Sequence, residues 1–324
     1  MPPPATSPPR IVSLISSATE ILYGLGTGSQ VAAVSHECDF PPVVHNKPRA
    51  THTRVAAEAP SGQIDQQVRD LLAAGEPLYD IDAALVKRLR PDIIVTQSQC
   101  DVCAVRYQDV VSLVRESAEL AHTQIVSLSP NSLEDMLRDV RRVADAVGAG
   151  TAGESYIAGL QARIDAVSQR SAGVPLPERT RVVCLEWFDP LMVGGNWMPQ
   201  LVRLAGGQAG LANAEQHSPT VSWEQVQTYD PEVLILMPCG FTLARTLAEA
   251  PLLQRLPDWN KLAAVQKGSV FAVDGNAYFN RSGPRLVDSL ELLEVLIKLG
   301  PVMGAVPERW TDAAQIVVPP ASPA

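Results

Sequence analysis

The chain has 324 residues, of which 46% are hydrophobic and 19% charged, with a formal net charge of −9. This length and composition exclude a disordered chain and leave room for two domains of ordinary size. The acidic balance, with no basic cluster, argues against nucleic acid or an anionic membrane surface as the main partner, and no stretch approaches the roughly 20 apolar residues of a membrane span.

Residues 1–9 form a proline-rich tail, and the apolar run from Ile11 to Ile15 is too short for the core of a signal peptide. The expectation is a cytoplasmic protein, or a periplasmic one if a leader has been removed. Five cysteines are present, at positions 38, 100, 103, 184 and 239. An odd number in a chain of this size is not a disulfide framework. Cys184 sits in the strand-like run Val182–Leu185 and reads as a small buried hydrophobe. The other four lie in or beside turns.

In chain order, Arg10 to Leu14 reads as a strand, and Ser16 to Leu25 as a helix closed by Gly26. Val31 to Val34 is the next strand and ends in the polar run Ser35-His36-Glu37-Cys38-Asp39. Thr51-His52-Thr53 follows as a loop. Ile64 to Ala74 and Asp82 to Leu89 read as helices. Ile93 to Val95 is a short apolar run of the kind that forms a buried parallel strand, and the polar turn after it carries Gln97, Gln99, Cys100 and Cys103. Val105 to Ser117 reads as helix, Gln124 to Leu128 as strand, and Asn131-Ser-Leu-Glu opens another helix. This alternation predicts a doubly wound α/β lobe over residues 10–147.

Gly148-Ala-Gly150 interrupts the helical pattern, and residues 151–172 continue as one long helix with Tyr156, Ile157, Leu160, Ile164 and Val167 at helical spacing. A second α/β lobe is expected over residues 180–300. Its strands are Val182 to Leu185, Val233 to Met237 and Val270 to Val273, with a long apolar helix near residues 286–299. Gly206-Gly207 reads as a turn only, and residues 301–324 as a tail. The predicted fold is therefore α/β: two doubly wound, Rossmann-like lobes joined by a single long α-helix.

Several constellations point to chemistry. Open α/β sheets bind ligands beyond the carboxyl ends of their strands, where the Cys100-x-x-Cys103 turn is expected. Two cysteines at this spacing can ligate one soft ion such as Zn or belong to an Fe–S site; they can form a redox pair; or they can be two thiols in a turn. His36, Cys38 and Cys239 lie in comparable turns and are candidates to complete a metal site. Glu37 is a candidate for charge beside a ligand. Trp187, Phe188, Trp197, Tyr278 and Phe279 fall in expected loops, where aromatics can stack on a flat macrocycle. Arg281 offers a bidentate grip for a carboxylate, amide oxygen or phosphate. No nucleophile elbow, Walker loop or dinucleotide fingerprint is present.

Several stretches carry a resemblance over roughly residues 10–298. They are Arg10-Ile-Val-Ser-Leu14 with Ala18-Thr-Glu20, Val34 to Pro41, Leu89-Arg-Pro-Asp-Ile-Ile-Val95, Val221-Ser-Trp-Glu-Gln-Val226 and Tyr278-Phe-Asn-Arg281 with Pro284-Arg285. In these the chain resembles the class III, metal-chelate and vitamin B12-type substrate-binding proteins of ABC transporters. It is also similar to a leaderless, Cys-containing branch of them labelled cobalamin-binding by similarity. The resemblance implies a binding protein, not an enzyme, that captures a metal chelate between its lobes, with cobalamin or a related corrinoid as the expected ligand and an ABC transporter permease as partner. It implies Glu37, His52 and Gln97 on one wall, where the B12 binder has aromatics, and the aromatic residues with Arg281 on the other. Glu224 matches the family's docking acid in the second lobe, and Asp82 is the nearest acid to the corresponding position in the first. The alternative is a cytosolic metal-binding or redox enzyme, chelatase-like in one version, that uses the Cys-x-x-Cys loop.

Overall fold

The structure, a computed structural model, describes residues 7–100, 102, 104–300 and 305–317. Two compact units divide the chain. The first takes in the chain up to Ala59, Gln66–Pro130 and Glu134–Gly159; the second holds Pro60–Asp65, Asn131–Leu133 and everything from Leu160 onward.

The first unit is built from β1 (Ile11–Ser13), α1 (Ser16–Gly24), β2 (Val31–Val34), β3 (Thr51–Thr53), most of α2 (Ser61–Ala73), β4 (Tyr79–Ile81), α3 (Ala83–Leu89), β5 (Ile93–Gln97), α4 (Tyr107–Arg115), β6 (Gln124–Leu128), nearly all of α5 (Leu133–Ala146), and the first turns of α6 (Gly150–Ser171). Four parallel strands form one sheet in the order β2-β1-β5-β6. All five residues of β5 are buried, as befits a strand covered on both faces. Val12, Leu14, Ile94, Val86 and Val110 pack together in the core beside it. Each such side chain contributes about 1.5–3 kcal/mol by leaving water. β3 and β4 pair antiparallel as a separate two-stranded ribbon, with His52 opposite Asp80. Thr51–Thr53 is therefore a strand and not a loop; its partner is distant in sequence, so local pattern does not reveal it.

The second unit continues from α6 into β7 (Thr180–Phe188), β8 (Leu191–Val193), α7 (Met198–Leu204), β9 (Gly207–Ala209), α8 (Trp223–Tyr229), β10 (Val233–Leu236), α9 (Leu243–Glu249), α10 (Pro251–Gln254), α11 (Ala263–Gln266), β11 (Val270–Val273), α12 (Leu286–Leu299) and β12 (Ala314–Ile316). Its sheet runs β12-β11-β10-β7-β8, with β9 also paired to β7. β7, β10 and β11 are parallel, and β12 closes the edge antiparallel to β11. Two expectations are corrected here. Gly207 opens a strand, because β7 supplies a partner for it. The segment at Ala314–Ile316 is also a strand, because Phe271–Val273 pairs with it.

One local device occurs in both units. α3 ends at Arg90 (φ 46°) and α8 at Asp230 (φ 47°), each in the left-handed region and each followed by proline, which the preceding residue cannot meet in a right-handed helix. The acid after each proline then takes the N–H of the residue at the start of the first strand: Arg10 N donates to Asp92 Oδ2 (2.7 Å), and Arg181 N to Glu232 Oε2 (3.2 Å). The same sequence unit, Pro-acid-apolar run, thus starts β5 and β10.

Within the second unit, α6 is tied to α12 by ion pairs. Arg163 reaches Asp288 and Glu291, and Arg170 holds Glu294 with two hydrogen bonds of 2.8 and 2.6 Å. Lys298 adds a third to Glu294 at 2.7 Å. The Arg170 hydrogen bonds keep the Glu294 carboxyl below its ordinary range, against the opposing effect of burial.

Candidate functional site

In the first unit, the carboxyl ends of β2 and β5 carry the polar turns. His36, just after β2, is half-buried. Its backbone N–H donates to Thr51 Oγ1 (3.0 Å), and Thr51 Oγ1 in turn donates to Ser35 Oγ (3.1 Å). His36 Nδ1 also forms a 2.7 Å hydrogen bond with Thr51 Oγ1, which fixes the ring beside β3. Nε2 faces Glu37 Oε1 at 3.4 Å, out of hydrogen-bond alignment. Glu37 itself is exposed. The Tyr79 ring lies 5.2 Å from the imidazole, and the Tyr79 hydroxyl donates to the Val102 carbonyl (2.9 Å). Tyr79 therefore touches both turns. Sequence reasoning passed over it, although an aromatic in a short polar run was a usable signal.

Gln97 is the buried last residue of β5, and its amide organises the next turn. Oε1 accepts from Gln99 N (2.6 Å) and Cys100 N (2.8 Å), and Nε2 donates to Cys100 O (2.5 Å). Gln97, expected on the ligand wall, is buried, and its polar atoms shape the loop. Cys100 is half-buried in that loop, and Cys103 lies outside the described residues. Cys38 is buried, with its sulfur 3.1 Å from Thr19 Oγ1. Cys239 is exposed and belongs to the second unit. Among the described residues, no group of three or more His, Cys, Asp or Glu side chains is arranged to hold a metal ion. Of the expected grouping of His36, Cys38, Cys100, Cys103 and Cys239, Cys38 turns inward and Cys103 lies outside the described residues. His52 is exposed on β3.

In the second unit, the carboxyl ends of β7, β10 and β11 bring aromatic and cationic groups together. Trp187 and Phe188 are the last residues of β7, not loop residues. Trp187 is half-buried; its Nε1 donates to Asp189 O (3.0 Å), and its ring meets Phe241 edge-on at 5.4 Å. The Arg245 guanidinium lies over the other part of this group, 3.7 Å from the Phe241 ring centre. Arg245 also pairs with Glu249 at 3.7 Å, and Glu249 accepts from Ser61 N (3.3 Å) at the start of α2. The Phe241 carbonyl accepts from Asn276 N (3.0 Å), and the Asn276 side chain accepts from Arg281 Nη2 (3.0 Å). Arg281 is thus fixed in the π-helical turn region that follows β11, next to the Trp187, Phe241 and Arg245 group. That turn, Gly275–Phe279, is closely packed: a Cβ on Gly275 would come within 2.5 Å of the Pro238 carbonyl oxygen. Arg245 was not singled out from the sequence. Its signal was a cation in the first turn of a helix, where the dipole opposes it.

Three of the five aromatic candidates are interior. Phe188, Trp197 and Phe279 are 5%, 7% and 0% exposed, and Trp197 Nε1 donates to the Phe279 carbonyl (2.9 Å). These rings pack beneath the turns instead of lining an open surface. Tyr278 is half-buried, edge-on to Trp310 at 6.0 Å, with burial raising its phenol above the ordinary range. Glu224 is exposed in the first turn of α8, between the capping-box residues Ser222 and Gln225.

Comparison with known proteins gives three kinds of match. The profile of a family described as "Periplasmic binding protein" matches residues 11–277. The vitamin B12-binding protein of Vibrio cholerae is 25% identical over 292 residues, covering 90% of this chain and 89% of that protein. Among solved structures, the periplasmic vitamin B12-binding protein of Vibrio cholerae superposes with a TM-score of 0.66 at 20% identity, covering 90% of this chain and 98% of that one. A periplasmic heme-binding protein from Roseiflexus sp. RS-1, in apo form, gives 0.68 at 22% identity, covering 90% and 99%. These similarities lend no support to the cytoplasmic expectation. No helix among the described residues is long and apolar enough to cross a membrane.

Proposed function

Because the chain belongs to the periplasmic binding protein family, we propose that it captures a metal chelate, a corrinoid such as cobalamin in the first instance, and delivers it to an ABC transporter. The observation that carries this reading is the carboxyl end of the second sheet, where the half-buried Trp187 and Arg245 flank the buried Phe241 ring and the buried Arg281 is held nearby through Asn276. A flat macrocycle needs an aromatic face to lie on, and its polar rim needs donors. The extended identity to a vitamin B12-binding relative supports a corrinoid, and the heme-binding neighbour in fold keeps a porphyrin as the second candidate. His36, Glu37 and His52 are the polar groups proposed to face a ligand within the first unit. Glu224 is the proposed docking acid for the transporter permease; Asp82 instead caps α3, accepting from Leu85 N at 2.8 Å.

The enzyme alternative finds no support in these relatives. The test is elemental analysis with an absorption spectrum of the purified protein, before and after separate addition of cyanocobalamin and hemin. Uptake of one chelate per chain with a shifted absorption band supports the reading. Metal bound one-to-one without any chelate, together with no uptake, contradicts it.

A further inference from the structure

We propose that Arg245 is a specificity-determining residue that recognises an acidic substituent on the rim of the bound macrocycle, so that the site selects a chelate carrying a carboxylate or phosphodiester over its neutral counterpart. This inference rests on the chelate-binding reading above.

Three observations carry it. First, the guanidinium is already in place. It lies 3.7 Å over the Phe241 ring and 3.7 Å from Glu249, and its side chain is only 19% exposed. A cation lying on an aromatic ring keeps its N–H groups in its own plane, where an oxyanion can accept two of them. Because the side chain is already ordered, little rotamer entropy is lost on binding. Second, the helix dipole disfavours a cation at this position, a cost that the i,i+4 pair with Glu249 offsets. Arg245 is the third residue of α9, and its backbone N–H donates to the Thr242 cap (3.4 Å), so its charge sits at the end of the helix that favours anions. Third, the chain carries a net charge of −9, which repels an anion at long range. An acidic ligand therefore needs a local cation, and Arg245 supplies one over Phe241, while the buried Arg281 is linked to the same turn through Asn276.

The ligand chemistry is an oxyanion attached to a flat metal macrocycle. A corrinoid offers it as the phosphodiester of its nucleotide loop, and a porphyrin as its propionates. Matched pairs of probes separate these sources: cyanocobalamin against dicyanocobinamide, which lacks the phosphodiester, and hemin against its dimethyl ester. Affinities for all four are measured on wild type and Arg245→Gln, with thermal unfolding of both proteins as the check on folding. For whichever pair the wild type binds, it prefers the acidic form. Arg245→Gln weakens the acidic form about tenfold to a hundredfold and the neutral form by a much smaller factor, so the preference collapses. Arg245→Lys, which keeps the charge without the fork, restores part of it. A loss that falls equally on both forms assigns Arg245 a structural role and overturns the inference, as does a wild type that binds both forms alike; neither result touches the chelate-binding reading. A wild type that takes up none of the four overturns that reading, and this inference with it.

Discussion

Substitution of Gly275 by alanine tests how the turn after β11 is held. The φ at Gly275 is not in the left-handed region, so the cost is steric and not conformational. An added Cβ would meet the Pro238 carbonyl oxygen at 2.5 Å, the Asn280 side-chain amide at 2.6 Å and the Met237 carbonyl carbon at 2.9 Å. Two of these three are backbone atoms at the end of β10, whose four residues are all buried, so they cannot retreat without disturbing the sheet. Overpacking of this kind costs about 1–3 kcal/mol. The assay is urea unfolding followed by tryptophan fluorescence, with circular dichroism as a second probe, because a chain of two units need not unfold in one step. Gly275→Ala is expected to lower the stability of the second unit by that amount. It should also weaken chelate binding, because the same turn leads into Arg281. Stability unchanged within about 0.5 kcal/mol would refute the reasoning.

Gly159 gives the opposite expectation: it lies inside α6 and an added Cβ would meet nothing within 4 Å. Gly159→Ala should therefore stabilise the protein by up to about 1 kcal/mol in the same urea assay. Asp139 is buried, and its carboxyl is pushed up to about 6 by that burial, with the Arg142 pair and the Ser129 N–H opposing. The folded state therefore holds this proton to higher pH than the unfolded state does, so stability falls as pH rises from about 4 to about 6. The wild type should lose on the order of 1–3 kcal/mol over this window relative to Asp139→Asn, measured as the difference between their stability curves; parallel curves would count against it. Glu224→Lys should abolish stimulation of the cognate transporter's ATPase while chelate affinity stays at the wild-type value, and retained stimulation would remove Glu224 from the docking role.

The parallel strands were legible because a strand covered on both faces must be apolar throughout, as Ile93–Val95 and Val233–Leu236 are. The helix before β5 was legible for a local reason too, since Asp82 sits at its cap position. The small strands were not. Thr51–Thr53, Gly207–Ala209 and Ala314–Ile316 are three residues each and exist through their partners, so no local pattern marks them. In the site, residue type alone misled for aromatics. Phe188, Trp197 and Phe279 sit near strand ends, but their rings turn inward to fill the space under the turns. Gln97 is polar and well placed, yet its amide satisfies the backbone of its own loop. Arg245 went unnoticed because its value comes from lying on Phe241, a contact between side chains that the sequence does not display.

The central claim is that this chain binds one metal macrocycle. Native mass spectrometry of the purified chain, incubated with equimolar cyanocobalamin and hemin together, tests it most directly. The account predicts a single adduct whose added mass equals one chelate, lost on unfolding in acid. A spectrum showing only the bare chain, or the chain plus a free metal ion, would contradict it.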